Sequence, residues 1–278
     1  MKLIENLIFD EERSFYATQD LEINNCQNDG PKDGESAFKE CHNILINDSY
    51  FNLRYPFWHD DKLVINNSLL TDNCRAALWY SNDIKINSSK LYGIKALRES
   101  SNIKIKNCDI ESKEFGWFCH NFDIKDTNIN SEYFMFESSN LDFKNVTLNG
   151  KYSFQYIKDS FLDGCDLNTK DAFWHANNVT IINSTLKGEY LAWYSSNLTF
   201  INCKIIGTQP FCYANNLRMI DCEMIDTDLA FEKTSVKAKI NSKIDSIKNP
   251  KSGIIEAMSI DDIIMDEDNP DMIIKIMG

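Results

Sequence analysis

The chain has 278 residues, 43% hydrophobic and 26% charged, with a formal net charge of -13. That is enough apolar material for a continuous core and too much for a disordered chain. Lysines and carboxylates alternate along it, as at Lys104, Lys106, Asp109 and Glu111, so no basic surface is segregated, and neither nucleic acid nor an anionic membrane is an expected partner.

The opening MKLIENLIFDEERS interrupts its apolar stretch with Glu5 and Asn6, so it does not read as a signal-peptide core. No run approaches membrane-spanning length. Nine cysteines without a close CxxC pair point to reduced thiols and a cytoplasmic protein. Residues 1–18 are expected to form an N-terminal cap, with DEERSFY as a helical turn, and NDGPKDGES at 28–36 reads as a surface loop.

From 19 to 234 the sequence repeats. One column is small throughout: Cys26, Ser49, Ser68, Ser89, Cys108, Thr127, Val146, Cys165, Ser184, Cys203 and Cys222, in steps of 23, 19 and 21 and then seven of 19. Positions five and three before it, and two after it, are apolar (Ile103, Ile105 and Ile110; Val179, Ile181 and Leu186). This alternation predicts short strands with one face inward. Directly before the small residue, and again six before it, stand mainly Asn, Asp or Gly, as at Asn107, Asp126, Asn183 and at Asn102, Asn121, Asn178. These residues tolerate the left-handed backbone of a sharp corner, and stacked asparagines can hydrogen-bond along the stack. A third corner is expected at Ser112, Ser131, Gly150, Thr169, Gly188 and Gly207. The rival leucine-rich solenoid would need a recurring LxxLxL, which is absent.

The expected fold class is therefore all-β: a single-stranded right-handed parallel β-helix of about 19 residues per coil, forming one domain over 1–278. Residues 235–278 supply irregular final coils and a C-terminal cap, because open solenoid ends invite edge pairing.

The third-strand segments KALRES, EFGWF, EYFMF, KYSFQY, KDAFWH, GEYLAWY, GTQPFCY and DLAFE, with GPKDGES and IKNP near the two ends, succeed one another at the repeat spacing. In this order they resemble a bacterial family catalogued as domain of unknown function 3737, over nearly the whole chain. The resemblance implies a pectin-lyase-like β-helix and brings no activity, substrate or catalytic residue.

Chemistry is sought on the third strand, six to ten residues after the small position. If positions six and ten point outward, the surface carries Tyr152, Asp171, His175, Tyr190, Tyr194, Tyr213 and Glu232; with the opposite parity it carries Trp117, Trp174 and Trp193. The first parity is favoured because the column Glu99, Glu137, Tyr156, His175, Tyr194, Tyr213, Glu232 is too polar for a narrow interior. It would turn Arg98 and Gln155 inward, where they would need buried partners. Tyr133, Glu137, Tyr152, Tyr156, Trp174, Tyr190, Trp193, Tyr194, Tyr213 and Glu232 are the candidate ligand-binding residues, since aromatic rings beside carboxylates suit a saccharide.

His175 is the candidate general acid or base. Asp171 and Glu189, in neighbouring coils, could form the carboxyl pair of a hydrolase. A non-catalytic scaffold docking another protein or a second copy, and a carbohydrate-active lyase or hydrolase, are the alternatives, and whether the protein is an enzyme stays open. The four histidines are too scattered for a metal site. No phosphate loop, nucleophile elbow or dinucleotide fingerprint occurs, so no cofactor is expected.

Overall fold

A computed structural model describes residues 1–266 and 269–278. The chain forms two compact units, Met1–Ser139 and Asn140–Gly278. Each is a right-handed parallel β-solenoid, and no helix occurs among the described residues.

In the first unit the strands Lys2–Glu5, Gln19–Asn24, His42–Asn47, Asp61–Asn66, Asn82–Asn87, Ser101–Lys106 and His120–Glu132 pair in that order, all parallel. Their register places Ile23, Ile46, Ile65, Ile86, Ile105 and Ile124 in one line, each at most 1% exposed. Burying one such side chain contributes about 1.5–3 kcal/mol, so the line is a principal source of cohesion. In the second unit Leu162, Ile181, Phe200 and Met219 continue the same logic.

The two Asn/Asp corners are as expected. Asn25, Asp48, Asn67, Asn107, Asn183 and Asn202 have φ between 48° and 54°, and Asn43, Asp83, Asn102, Asn178, Asn197 and Asn216 between 53° and 57°. Gly164 takes the first corner of its coil at φ 64°. The asparagine ladders form too, and one of them lies one residue earlier: Asn47 donates to Asn24, Asn66 to Asn47 and Asn87 to Asn66, each at 2.9 Å.

All members of the small column are buried. Their side chains also serve the backbone. Ser49 Oγ accepts from the amide of Cys26 at 3.1 Å and donates to the carbonyl of Asn47 at 2.7 Å, and Ser68 and Ser184 do the same in their coils. A hydroxyl or thiol there satisfies a corner that a larger side chain would leave unpaired. All nine cysteines are free and buried.

The two ends and the third corner differ in detail from the expected pattern. Residues 1–18 hold no helical turn and are themselves a coil: Lys2–Glu5 lies in register with Leu21–Asn24, and Arg13 and Phe15 bond through their amides to Glu35 and Ala37. Phe15 stacks on Phe38 at 4.9 Å, which draws the segment into the core. In the C-terminal segment Ser235–Lys248, Ser252–Ile264 and Met272–Ile276 pair parallel, with a register shift between Ile240 and Lys243 inside the first of these pairings. Glu267 and Asp268, part of the expected cap, lie outside the described residues. The third corner is met only in some coils: Gly188 and Gly207 lie at bends, with φ of 157° and 127°, whereas Ser112, Ser131 and Thr169 point inward and are buried, with Ser112 Oγ donating to the carbonyl of Gly93 at 2.6 Å.

Candidate functional site

The bend expected at the third corner is spread over the third side. There, residues six, eight and ten after the small position are all left-handed: Tyr152, Phe154 and Tyr156; Asp171, Phe173 and His175; Tyr190, Ala192 and Tyr194, with φ from 53° to 61°. Alternating left-handed and extended residues abolish the two-residue parity of a strand. Positions seven and eight therefore both point inward, as Ala172 and Phe173 or Leu191 and Ala192 do, while six, nine and ten reach the surface. The two alternative faces of the sequence reading are thus both outside. Arg98 and Gln155 are half-exposed, not interior. Arg98 lies over the rings of Trp79, Trp117 and Phe118 at 5.3, 5.0 and 5.2 Å.

In the second unit Tyr156, His175, Tyr194 and Tyr213 form one ladder, with centroids 4.7, 5.2 and 4.9 Å apart and planes within 11° of parallel. His175 and Tyr194 each have a neighbour on both ring faces, so their edges meet solvent. Trp174 and Trp193 stack beside them at 5.5 Å, and their indole Nε1 atoms donate to the carbonyls of Tyr190 and Gln209 at 2.7 and 2.8 Å. Gln155 Nε2 does the same for Asp171 at 3.2 Å. Position nine therefore holds a donor that satisfies the left-handed residue of the next coil. Removing Tyr194 breaks two stacked contacts worth about 0.5–1.5 kcal/mol each. Tyr194→Ala is expected to lower stability by about 1–3 kcal/mol in urea denaturation, and an unchanged midpoint would show that the ladder contributes nothing.

Among the other candidates, Tyr152 and Tyr190 are half-exposed in this unit, and Glu232 pairs with Lys248 at 3.2 Å. Tyr133 and Glu137 are exposed in the first unit, with Tyr133 against Trp117 at 6.5 Å. Asp171 and Glu189 are adjacent: the Asp171 amide donates to the Glu189 carbonyl at 2.8 Å. Partial burial raises the Asp171 carboxyl above its ordinary pKa, the Glu189 charge adds to this, and Lys170 opposes it. A carboxyl inclined to keep its proton beside a second carboxyl is a pairing usable for acid–base chemistry.

The sequence reading missed a groove of about 230 Å³ in the first unit, lined by Tyr55, Trp58, Arg75, Ala76, Trp79, Ile94 and Lys95. Trp58 and Trp79 stack at 5.3 Å with planes 3° apart, and Tyr55 leans on Trp58 at 5.1 Å. Their Nε1 atoms are committed to the carbonyls of Ala76 and Lys95, which fixes both rings. Lys95 bonds to Glu114 at 3.3 Å, whereas Arg75 is exposed and has no ion pair among the described residues. Larger grooves exist at Tyr92, Glu111, Lys113 and Glu132 (about 330 Å³) and at Asn202, Lys204, Asp221 and Glu223 (about 290 Å³). Their lysines face carboxylates, Lys113 with Glu132 at 3.6 Å and Lys204 with Glu223 at 3.4 Å. Only the Trp58–Trp79 groove, of these three, offers an uncompensated cation. The two extra residues of the coil between Ser68 and Ser89 shift Trp79 by two in the sequence count, which hid that it pairs in register with Trp58 and Arg98.

Residues 2–276 match the family described as "Protein of unknown function (DUF3737)". The chain belongs to this family. No curated protein matches it. Among solved structures it is similar to the surface adhesin PfbA of Streptococcus pneumoniae, at 10% identity and a TM-score of 0.45 over 84% of each chain. It is also similar to the A-module of the mannuronan C-5 epimerase AlgE4 of Azotobacter vinelandii, at 11% identity and a TM-score of 0.34 over 86% of this chain and 81% of that one.

Proposed function

We propose that this protein is a ligand-binding solenoid that takes an acidic saccharide in the third-side groove of its first unit. The reading is carried by the unpaired Arg75 beside the fixed Trp58–Trp79 pair. In a chain of net charge -13, an exposed guanidinium left without a carboxylate is available to an incoming one, which it can grip with two parallel hydrogen bonds. Tyr55, Trp58, Trp79 and Ile94 supply apolar surface for the ring of the ligand. The ladder of the second unit supports the reading less, because the faces of His175 and Tyr194 are already covered.

The test is a titration followed by tryptophan fluorescence and calorimetry, using an oligomer of a hexuronic acid and a neutral hexose oligomer of equal length. The acidic oligomer should bind, with affinity falling as salt rises, and the neutral one should not. Arg75→Ala should weaken binding by about 10- to 100-fold, the equivalent of a lost charge-assisted hydrogen bond, without changing the melting temperature. Silence with both oligomers, or equal binding of both, would overturn the proposal.

A further inference from the structure

In the second unit, the strands Lys158–Asp163, Asn177–Ile182, Ser196–Ile201 and Leu217–Ile225 turn two columns away from the core. One runs Phe161, Thr180, Thr199, Arg218 and the other Asp163, Ile182, Ile201, Ile220. In the first unit the equivalent columns hold Glu22, Leu45, Val64, Lys85, Lys104 and Asp123, and Asn24, Asn47, Asn66, Asn87, Lys106 and Lys125, charged or amide side chains except at Leu45 and Val64. Here Phe161 is 39% exposed, and Thr180, Ile182, Thr199, Ile201 and Ile220 are half-exposed. The strands contact their ladder neighbours, and no other strand among the described residues packs on this face. Parallel sheets are normally covered on both faces, and a contiguous apolar patch on one marks an interaction surface.

The two ends of the patch differ in charge. Phe161 and Asp163 stand at one end, and Arg218, exposed and without an ion pair among the described residues, stands at the other. We infer that this face docks a second copy of the chain about a two-fold axis running along the strands. Such an axis turns one face onto the other and reverses the order of the coils while keeping the columns aligned. The coil of Arg218 then meets the coil of Phe161 and Asp163 at both ends, and Thr180, Ile182, Thr199 and Ile201 close on their copies in the middle. This is the self-complementarity an isologous interface requires. Each Arg218 gains an aromatic ring and a carboxylate, and Asp163 keeps its bond from Asn183 at 3.0 Å. With eight side chains a side the contact is at the small end of specific interfaces, so the dimer is weak and concentration-dependent.

The test is sedimentation velocity of the full chain from low to high micromolar concentration. The wild type should pass from monomer to dimer, and Ile201→Lys, an outward-facing change, should remain monomeric with an unaltered circular dichroism spectrum. Arg218→Glu should raise the dimer dissociation constant about tenfold or more, and adding Asp163→Arg to it should restore association. A wild type that stays monomeric throughout, a dimer indifferent to Ile201→Lys, or one indifferent to Arg218→Glu would each overturn the inference. Because the groove at Arg75 lies in the first unit, its binding should be the same in Ile201→Lys, which separates failure of one idea from failure of the other.

Discussion

Replacing Asp60 with serine should make the protein more stable, and increasingly so as pH rises. Asp60 is 2% exposed and occupies a column otherwise filled by Cys41, Ser81, Ser100, Cys119 and Ser138. Its Oδ1 accepts from the amide of Cys41 at 2.8 Å, while Oδ2 is buried without a partner. Burial pushes the carboxyl up to about 8, against only the opposing pull of the Cys41 amide. A carboxyl whose folded pKa lies above its unfolded value stabilises the fold fully below the unfolded value, near 4, and loses that contribution as pH rises to about 8. The wild type should therefore weaken between pH 4 and pH 8, by an amount on the order of 3–5 kcal/mol if the site stays dry. In Asp60→Ser this contribution to the slope should vanish, and the fold should stay intact because a serine there can accept from the Cys41 amide and donate to the carbonyl two residues back, as Ser100 does to Arg98 at 2.8 Å. Urea denaturation at pH 5 and pH 8.5 measures this. Parallel pH profiles for the two proteins would show that Asp60 is ionised at no cost.

Val146→Lys is the opposite case. Val146 is 1% exposed in the small interior column, where the neighbouring coil presents the Cys165 thiol, itself pushed up to about 11 by burial. An environment that resists a thiolate resists an ammonium for the same reason. The substitution should cost about 3–5 kcal/mol, the penalty for an unpaired buried ion, and register as a large drop in the denaturation midpoint. Melting at the wild-type temperature would mean that the column is not interior.

The corners and the core were legible because they rest on residues whose chemistry is their own. Asn107 or Asn183 carries a left-handed backbone readily wherever it is placed, and an isoleucine line announces burial. The third side was not legible for the converse reason. Its left-handed positions are held by Tyr190, Ala192 and Tyr194, which have no preference for that conformation; the inter-coil bonds Tyr190 to Thr208 and Tyr194 to Cys212 impose it. A parity argument assumes extended backbone and so could not place Trp193 and Tyr194 on the same surface. Likewise the candidates His175, Asp171 and Glu189 were found by residue type, whereas Arg75 gains its significance from the lack of a partner, which no single sequence displays.

The inter-coil register has a kinetic consequence. Within each unit nearly every ladder bond joins residues one coil apart, such as Lys204 to Ser184 and Asn128 to Cys108. Parallel sheets ordinarily fold slowly, because distant segments must meet before any bond offsets the closure of the intervening loop. Here each new coil needs only its predecessor as a template, so once two coils have paired, growth adds one turn at a time at nearly constant entropic cost. Folding should accordingly spread from a nucleus like a zip, and its rate should depend weakly on the number of turns.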